Sequence, residues 1–545
     1  MADFFDPVNL WLNFDPALTD ADLNILSEYE RDGIQYREFF FSPFPTAVPG
    51  VAPTRAFGIF ARSAADAGKT LTPVFLPGDA DTGIDREWLA AFCRKGYAAL
   101  TVDLRGSGEG AARGATFYAA ADAAANYALI DDLYTTGVVK KSCWYIWSAL
   151  CMRTLSLAET FPDLRPRPLL AAKGIAASVG MILAAVDKRL AGAALLFCNE
   201  PQTYAGDDGA KRFAGIFSAI ANAPLVKCPV LFMGATNDDR FSFANFYEIF
   251  ARIPPETNSV MSMSAGLCRE VGFAESTDLD LFFEAAAADD LRLSKPTIHF
   301  TVSENKLYFS IKPCAALPVK HCILYCAYGG EARDRNWERK EAFAGADGEF
   351  ITAVDSFDIP DPIYIYGAVH YEFGLSLCTR VIKKTAAELN APCKPLVHSH
   401  LLYAPGGGRD SFTTVDNGCL IHRKENVELA RGPLGIEGAR AGIGKLATFK
   451  PGDPRFSPLL AGSAIQINVY SPAAGTFVVV LKDGKDVRYY SKETPLCGGE
   501  IWQKIVLDPS AFKTSEKVAL VDFSDIKLLY FERPADILVS SILWT

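Results

Sequence analysis

The sequence lacks an excess of positive charge and any long hydrophobic run. Its 54 Lys and Arg residues are outnumbered by 64 Asp and Glu residues, and the formal net charge is −10 at pH 7. Nucleic acids and anionic membranes are bound by basic surfaces, so neither is expected as the main partner. No stretch approaches the roughly 20 apolar residues of a membrane span, and the first residues show no secretory signal pattern. We therefore expect a soluble, cytoplasmic protein; its oligomeric state is left open.

The sequence also lacks the cysteine and histidine spacings that hold metals or disulfides. Its 13 cysteines are scattered without a C-x-x-C pair, and it has only six histidines. A chain of this length can build hydrophobic cores without disulfide bonds, so reduced and mostly buried thiols are expected. Structural zinc sites need clustered Cys and His ligands, and we expect none here.

The residues that are present are typical of a globular protein with several domains. Half of them are hydrophobic and 22% are charged, with 37 Phe and 20 Tyr. This balance favours folded structure over disorder. A chain of 545 residues exceeds what one hydrophobic core usually organises, so two or three domains are expected.

The first half of the chain alternates apolar strand-like runs with longer amphipathic segments. This alternation, from Gly33 to about Asp290, predicts a mostly parallel sheet covered by helices. The first two strand candidates, "IQYREFFFS" and "RAFGIFARS", have no helix between them and should form an antiparallel edge. Eight strands with such crossovers indicate an α/β-hydrolase sheet, and we place this domain at residues 1–293.

The second half has short strands separated by turn signals and no long helical periodicity. Residues 294–395 have the size and strand spacing of a small, immunoglobulin-like β-sandwich. Residues 396–545 indicate another sandwich or a jelly roll. The predicted architecture is thus an α/β-hydrolase domain followed by two all-β sandwich-like domains.

A stretch in the first half has the form of a nucleophile turn. Ser178 has small residues two positions before and after it, Ala176 and Gly180. Small residues are required there when a serine occupies a sharp turn between a strand and a helix. Ser178 is therefore the candidate nucleophile, although a serine at this place could equally cap the helix without any catalytic role.

The remaining parts of a hydrolytic site are expected in loops at the carboxyl ends of other strands. If the helix begins directly after Ser178, the backbone N–H of Val179 would point towards a developing oxyanion. A second donor is expected near Gly78 and Asp79. The acid of a triad should follow the strand "PVLFMGA", where Asp238 stands, with Asp239 as the alternate; an ordinary polar loop is the other interpretation.

Four stretches in the first half of the chain, in their order and spacing, resemble the acetylxylan esterase and cephalosporin-C deacetylase branch of the α/β-hydrolases. They are "GYAALTVDLRGSGEG", "ALCMRTLSLAETFPD", the Ser178 turn and "VLFMGATND". The resemblance covers about Ile34 to Asp290. It implies hydrolysis of small acyl esters, often acetyl groups on sugars, by a Ser–His–Asp mechanism that needs no cofactor.

The chain departs from this family at the triad histidine. The loop in which that histidine should lie, "NSVMSMSAGLCREVGF", offers Cys268 and Arg269 instead. The six histidines stand at positions 299, 321, 370, 398, 400 and 422, so the predicted hydrolase domain contains none. A thiol with a pKa of about 8.5 beside a carboxylate is a poor substitute for an imidazole base.

Two functions therefore remain open. In the first, the protein is an esterase in which a histidine from another domain, such as His370, His398 or His400, serves Ser178. In the second, it is a catalytically silent relative that binds a ligand or glycan, or acts as an interaction protein. A serine without a base is a weak nucleophile, which favours the second function, whereas Ser178 and Asp238 in register favour the first.

Aromatic residues in the last domain could stack on sugar rings. They are Tyr489, Tyr490, Trp502 and Trp544. Aromatics at alternating strand positions more often belong to the core, and burial of the two tryptophans would remove much of the basis for sugar binding there.

Overall fold

A computed structural model gives the structure of the protein and divides it into two compact units. The first unit comprises Met1–Met233, Ala244–Met261 and Asp278–Ser294, and the second comprises Gly234–Phe243, Ser262–Thr277 and Lys295–Thr545. The three-domain division stays a prediction. The structure describes residues 6–17, 21–44, 54–79, 82–106, 115–118, 139–161, 163–198, 214–238, 243–272, 275–288, 293–304, 306–314, 317–329, 331–389, 393–416, 421–423, 426–458, 462–484, 488–532 and 536–545.

A mixed sheet of nine strands organises the first half of the chain. Its strands are β1 (Asn24–Arg31), β2 (Ile34–Phe41), β3 (Ala56–Ser63), β4 (Pro73–Phe75), β5 (Ala98–Val102), β6 (Leu169–Lys173), β7 (Gly192–Leu196), β8 (Val230–Ala235) and β9 (Val260–Ser264). They are ordered β1-β2-β3-β5-β4-β6-β7-β8-β9.

The strand directions fit an α/β-hydrolase sheet. Strands β1, β2, β3 and β5 pair antiparallel in that order, which confirms the predicted antiparallel edge between β2 and β3. Strands β5, β4, β6, β7 and β8 pair in parallel. Strand β1 was not expected, because all of its residues except Ser27 are exposed and its sequence shows no alternation of buried and exposed positions.

Among the described residues, helices lie between consecutive strands from β4 to β9, and a further helix follows β9. They are α1 (Arg86–Arg94), α2 (Cys143–Ala158), α3 (Ile175–Val186), α4 (Ala219–Asn222), α5 (Phe243–Ala251) and α6 (Asp278–Ala287). Helices α1 and α2 confirm predicted amphipathic segments, and each begins behind a side chain that accepts a hydrogen bond from a backbone N–H of the first turn, Asp85 for α1 and Ser142 for α2. Helix α3 consists of small and apolar residues, most of them buried, and it packs on β6 and β7.

The first part of the β-rich region forms an antiparallel sheet of eight strands. They are β10 (Thr297–Ser303), β11 (Lys306–Lys312), β12 (Val319–Tyr328), β13 (Glu338–Ala344), β14 (Phe350–Asp355), β15 (Ile363–Tyr371), β16 (Ser376–Cys378) and β17 (Ile382–Lys384). Strand β15 is buried along its whole length and pairs with β12, β16 and β17. A short helix, α7 (Ala386–Leu389), follows. The sandwich form predicted for this region stays a prediction.

Two further antiparallel sheets complete the chain. One consists of β18 (Leu401–Tyr403), β21 (Val427–Arg431), β22 (Glu437–Ala441), β24 (Ile465–Tyr470), β27 (Trp502–Leu507) and β29 (Leu538–Trp544). The other consists of β19 (Thr413–Asp416), β20 (Ile421–Arg423), β23 (Lys445–Thr448), β25 (Gly475–Asp483), β26 (Tyr489–Leu496) and β28 (Ile526–Glu532). Side chains of both sheets, such as Ile467 and Val479, share one hydrophobic core, as in a layered β-domain.

A buried charge network joins the two β-rich regions within the second unit. The Lys482 ammonium lies 2.8 Å from the Asp334 carboxylate, and both side chains are almost fully buried. The Arg455 guanidinium contacts Asp453 at 2.5 Å and Glu338 at 3.0 Å. Burial opposes the charge on Arg455, but the Asp453 and Glu338 carboxylates together outweigh this effect and raise the pKa of the guanidinium.

The described part of the chain has neither a membrane-spanning helix nor a disulfide bond. No described helix is long and apolar enough to cross a membrane. No disulfide joins the described cysteines, most of which are buried. Burial raises the pKa of the Cys93 and Cys228 thiols to about 12, so these thiols are protonated at neutral pH.

Candidate functional site

The sharp turn between β6 and α3 lies at Gly174 and not at Ser178. Strand β6 ends at Lys173, and α3 begins at Ile175. Gly174 connects them with φ of 62° and ψ of −129°, a backbone conformation that glycine adopts far more readily than other residues. The expected position of the turn was therefore wrong by four residues, because the apolar run continues from the strand into the helix.

Ser178 is part of helix α3. It is the fourth residue of the helix and is 4% exposed. Val179, the next residue, is too far into the helix to have one of the unpaired first N–H groups, so the expected position of this oxyanion donor was also wrong. A Cβ atom on Gly180 would lie 2.8 Å from Leu195 Cδ2, so close packing of α3 on the sheet explains this small residue. The catalytic role of Ser178 stays a prediction.

The N-terminus of α3 holds a carboxylate of the protein itself. The backbone N–H of Ile175, the first helical residue, donates to Asp79 Oδ2 at 3.1 Å. Asp79 is 8% exposed, and its loop is closed by backbone hydrogen bonds in both directions between Asp79 and Gly83. The N–H of Gly78 donates to the carbonyl of Val102 at 2.9 Å. The expected loop does reach the start of the helix, but the N–H groups of Gly78 and Asp79 are used within the backbone.

The side chain that precedes the turn is also engaged. Lys173 Nζ lies 2.6 Å from Asp85 Oδ2 and 5.2 Å from the centre of the Trp88 ring. Burial opposes the ionisation of Asp85, but the hydrogen bonds from Lys173 and from the backbone N–H groups of Trp88 and Glu87, together with the charge of Lys173, outweigh it and lower the pKa of this carboxyl. Lys173 is thus held by an ion pair beside the start of α1.

Asp238, the expected acid, lies in the second unit with the loop that follows β9. Its side chain is 1% exposed, and its Oδ1 lies 3.8 Å from Arg269 Nε. The loop carrying Asp238 is fixed by the neighbouring Asn237, whose Nδ2 donates to the carbonyls of Arg333 and Arg335. The partner seen for the carboxylate is therefore a guanidinium of the loop in which the family would have its histidine. Asp239 lies outside the described residues.

Cys268 is a fully buried thiol in this loop. It precedes Arg269, which has a positive φ of 54°. The adjacent carbonyl of Leu267 accepts a hydrogen bond from the N–H of Asn237 at 2.9 Å. Fully buried thiols are structural more often than reactive. A catalytic role for Cys268 stays a prediction.

The histidines all belong to the second unit, and the sequence puts none in the first. His370, on β15, is 8% exposed and shares a hydrogen bond of 2.7 Å between its Nδ1 and Ser376 Oγ. The His321 ring stacks on it with centroids 4.5 Å apart. His398 and His400 lie in the segment before β18, where His400 is exposed. Delivery of a base to Ser178 by any of these stays a prediction.

A cavity of about 590 Å³ lies in the second unit. Its lining includes His321, His370, Ser376, Glu275 and Tyr325. Of these residues, only His370 is a candidate from the sequence. The spacing of His321 and Tyr325 along one strand and the pairing of His321 with His370 could have been found only with the strand register in hand.

The possible sugar-stacking aromatics of the last region are largely structural. Trp544 and Tyr490 are 2% and 6% exposed, and the Trp544 indole N–H donates to the carbonyl of Phe456. Trp502 is half-buried, and its indole N–H donates to the carbonyl of Pro433 at 3.0 Å. Tyr489 is 37% exposed. Only one of the two tryptophans is buried, so sugar binding at these residues stays a prediction.

No three-residue metal site is found among the described parts of the chain, where His, Cys, Asp and Glu side chains do not cluster in that number.

No protein-family model matches the chain, and no curated protein sequence matches it. Its fold is similar to that of a cold-adapted esterase from an Arctic intertidal metagenomic library, with 17% identity, a TM-score of 0.34, and coverage of 49% of this chain and 98% of the esterase. It is also similar to an acetyl xylan esterase from Paenibacillus sp. R4 (14%, 0.33, 45% and 81%) and to a glucuronoyl esterase from Solibacter usitatus (11%, 0.34, 50% and 86%). At these identities and TM-scores the likeness supports neither a shared activity nor shared site residues.

Proposed function

We propose that this chain does not hydrolyse esters through Ser178 and that it is a ligand-binding protein whose first half keeps an α/β-hydrolase type of sheet. The observation that carries the proposal is the residue at the β6–α3 turn. A nucleophile must stand on that turn for its side chain to reach a substrate, and the residue there is Gly174, which has no side chain.

The start of α3 adds a second argument. An oxyanion is stabilised by backbone N–H groups that are free to bind it, above all the one directly after the turn. The Ile175 N–H already donates to the Asp79 carboxylate. A negatively charged intermediate would have to displace a fixed negative group, which opposes its formation.

The chemistry of the base gives a third argument. A serine hydroxyl needs a positioned base to become a useful nucleophile. The first unit contains no histidine, and Ser178 is a buried helical residue. Loss of the triad residues in a serine protease lowers turnover by about a million-fold, so Ser178 alone would support little hydrolysis.

Ester hydrolysis remains the second candidate function. It is favoured by Asp238, a fully buried carboxylate directly beyond the carboxyl end of β8, where a triad acid would stand. Under this candidate the substrates are small acyl esters, with acetyl esters of sugars among them, as the resemblance found in the sequence implies.

Hydrolysis of p-nitrophenyl acetate by the purified protein distinguishes the two candidates. The parent chain is compared with Ser178→Ala and with Ser148→Ala, a matched buried serine of α2 that no candidate site includes. We expect the parent rate to equal the rates of both variants and to stay near the uncatalysed background. A parent activity that Ser178→Ala abolishes and Ser148→Ala retains would overturn the proposal in favour of the esterase.

A further inference from the structure

Rings of strands β12 and β15 line the cavity of the second unit, among them His321, Tyr325 and His370. Along β12, His321, Ile323 and Tyr325 are separated by two residues each and so share one face of the sheet. The register places His321 opposite His370 and Tyr325 opposite Tyr366 on β15. Both ring pairs stack, with centroids 4.5 and 5.2 Å apart. We call this space the histidine cavity.

Buried polar groups line the histidine cavity. His370, 8% exposed, uses Nδ1 to bond Ser376 Oγ, while its Nε2 has no hydrogen-bond partner among the residues that the structure describes. On another wall, the Glu275 carboxylate accepts a hydrogen bond from Ser264 Oγ at 3.2 Å. A buried ring nitrogen left without a partner destabilises the protein, and a polar ligand supplies such a partner.

The formal charges of the lining cancel. Lys320 and Arg339 are opposed by Glu275 and Asp410. The Arg339 guanidinium also forms an ion pair of 2.5 Å with Glu341, which is not among the lining residues.

The two histidines add no charge at neutral pH. Burial lowers the pKa of His370 to about 4 and also lowers the pKa of His321. A lining with no net charge gives a ligand of either sign no electrostatic advantage, and a charged ligand would lose hydration on entering.

We propose that the histidine cavity binds a small, uncharged, polyhydroxylated molecule, an inference that rests on the proposed ligand-binding function. A neutral imidazole and a serine hydroxyl each donate and accept hydrogen bonds, which matches the hydroxyl groups of such a molecule. The volume of about 590 Å³ lies within the range of small-molecule sites and suits one or two sugar rings.

Calorimetric titration of the whole chain with five small probes tests the charge class of the ligand. The probes are glucose, glucosamine and glucuronate, which share one ring and differ in charge, and xylose and myo-inositol are added as further uncharged members. We expect at least one uncharged probe to bind at millimolar concentrations or below, more tightly than either charged probe. Binding of a charged probe alone, or of none, would overturn the proposal.

Variants of the cavity test the place of binding. His370→Phe and His321→Gln should each weaken the binding of the uncharged probe about tenfold, because each removes a hydrogen-bonding ring from the lining of the cavity. His321 is only half-buried, so its variant should fold even if the buried His370 variant does not. His299→Phe, an exposed histidine of β10, is the control and should bind as the parent does. Equal affinity in the parent, the His321 variant and the control would refute this site.

The two proposals fail in different assays. Ser178-dependent hydrolysis would overturn the proposed function, and the titration would still decide whether the cavity binds an uncharged ligand. Absence of probe binding, with hydrolysis at the background rate, would refute binding in the cavity. It would not affect the conclusion, drawn from Gly174, that Ser178 does not hydrolyse esters.

Discussion

Acid should destabilise the protein through His370, and replacement of this side chain by glutamine should remove that effect. Burial lowers the pKa of His370 from its ordinary value of 6.5 to about 4, and the neighbouring His321, Arg339 and Lys320 lower it further in smaller measure. The folded protein therefore resists protonation at this ring, while the unfolded chain takes up a proton below pH 6.5. The stability that His370 contributes by staying neutral is fully present above pH 6.5. It is lost as the pH falls towards 4.

The size of this effect follows from the two pKa values. A fall from 6.5 to about 4 corresponds to about 3 kcal/mol in the free energy of unfolding, at about 1.4 kcal/mol for each pH unit. That is a large part of the roughly 5–15 kcal/mol by which domains are stable. Glutamine keeps a hydrogen-bonding group for Ser376 but does not titrate in this range.

Urea unfolding at pH 7 and pH 4 measures the prediction. The loss of unfolding free energy between the two pH values should be about 3 kcal/mol smaller in His370→Gln than in the parent. The carboxyl groups that also titrate over this range do so in the parent and in the variant, so their effect on the unfolding free energy cancels in the comparison. His299→Gln, on an exposed histidine, should lose as much as the parent. An equal loss in the parent and His370→Gln would refute a neutral, buried His370.

Three substitutions test other parts of the structure by urea unfolding at pH 7. Arg455→Met should destabilise the chain by about 3–5 kcal/mol, because it leaves the fully buried Asp453 carboxylate without its cation. Asp79→Ala should cost about 1 kcal/mol, because it removes the carboxylate from the N-terminus of α3. Gly180→Val should cost about 1–3 kcal/mol through overpacking against Leu195.

Each of these has a control and an outcome that contradicts it. Arg440→Met breaks an exposed ion pair with Glu428 and should cost less than about 1 kcal/mol; a similar loss for both arginines would contradict the role of burial. Asp66→Ala, at a short 3-10 turn, should change stability less than the Asp79 variant. A Gly180 variant as stable as the parent would mean that the sheet can yield to the added side chain.

Much of the first half of the fold follows from hydrophobic patterning. The short buried runs of β5, β7 and β8 and the capped helix α1 have clear boundaries in the sequence, and their order predicts a parallel sheet. Strand β1 could not be found in this way, because its stability comes from hydrogen bonds to β2 rather than from burial of one face. Pattern reading detects burial, and an exposed edge strand has little of it.

The histidine cavity was hidden for a different reason. Its residues come from segments far apart in the sequence, and the distance between Glu275 and His370 along the chain gives no sign that they line one space. Even on paired strands, the contact of His321 with His370 depends on a register that bulges and shifts nearby. Single-sequence reasoning recovers local periodicity and leaves such long-range pairing undetermined.

The position of the turn before α3 could not be predicted from the pattern of small residues alone. Two overlapping stretches satisfy the requirement for small residues on either side of a turn: Ala172 and Ala176 flank Gly174, and Ala176 and Gly180 flank Ser178. The two possible turn positions are four residues apart, close to one helical turn. Only the second carries a serine, which is why a nucleophile was expected there. Lys173 was the available signal, because a charged residue after the apolar run of β6 marks the strand end. With the turn at Gly174, the small residues that follow serve the packing of α3 on the sheet, and their presence does not require a nucleophile among them.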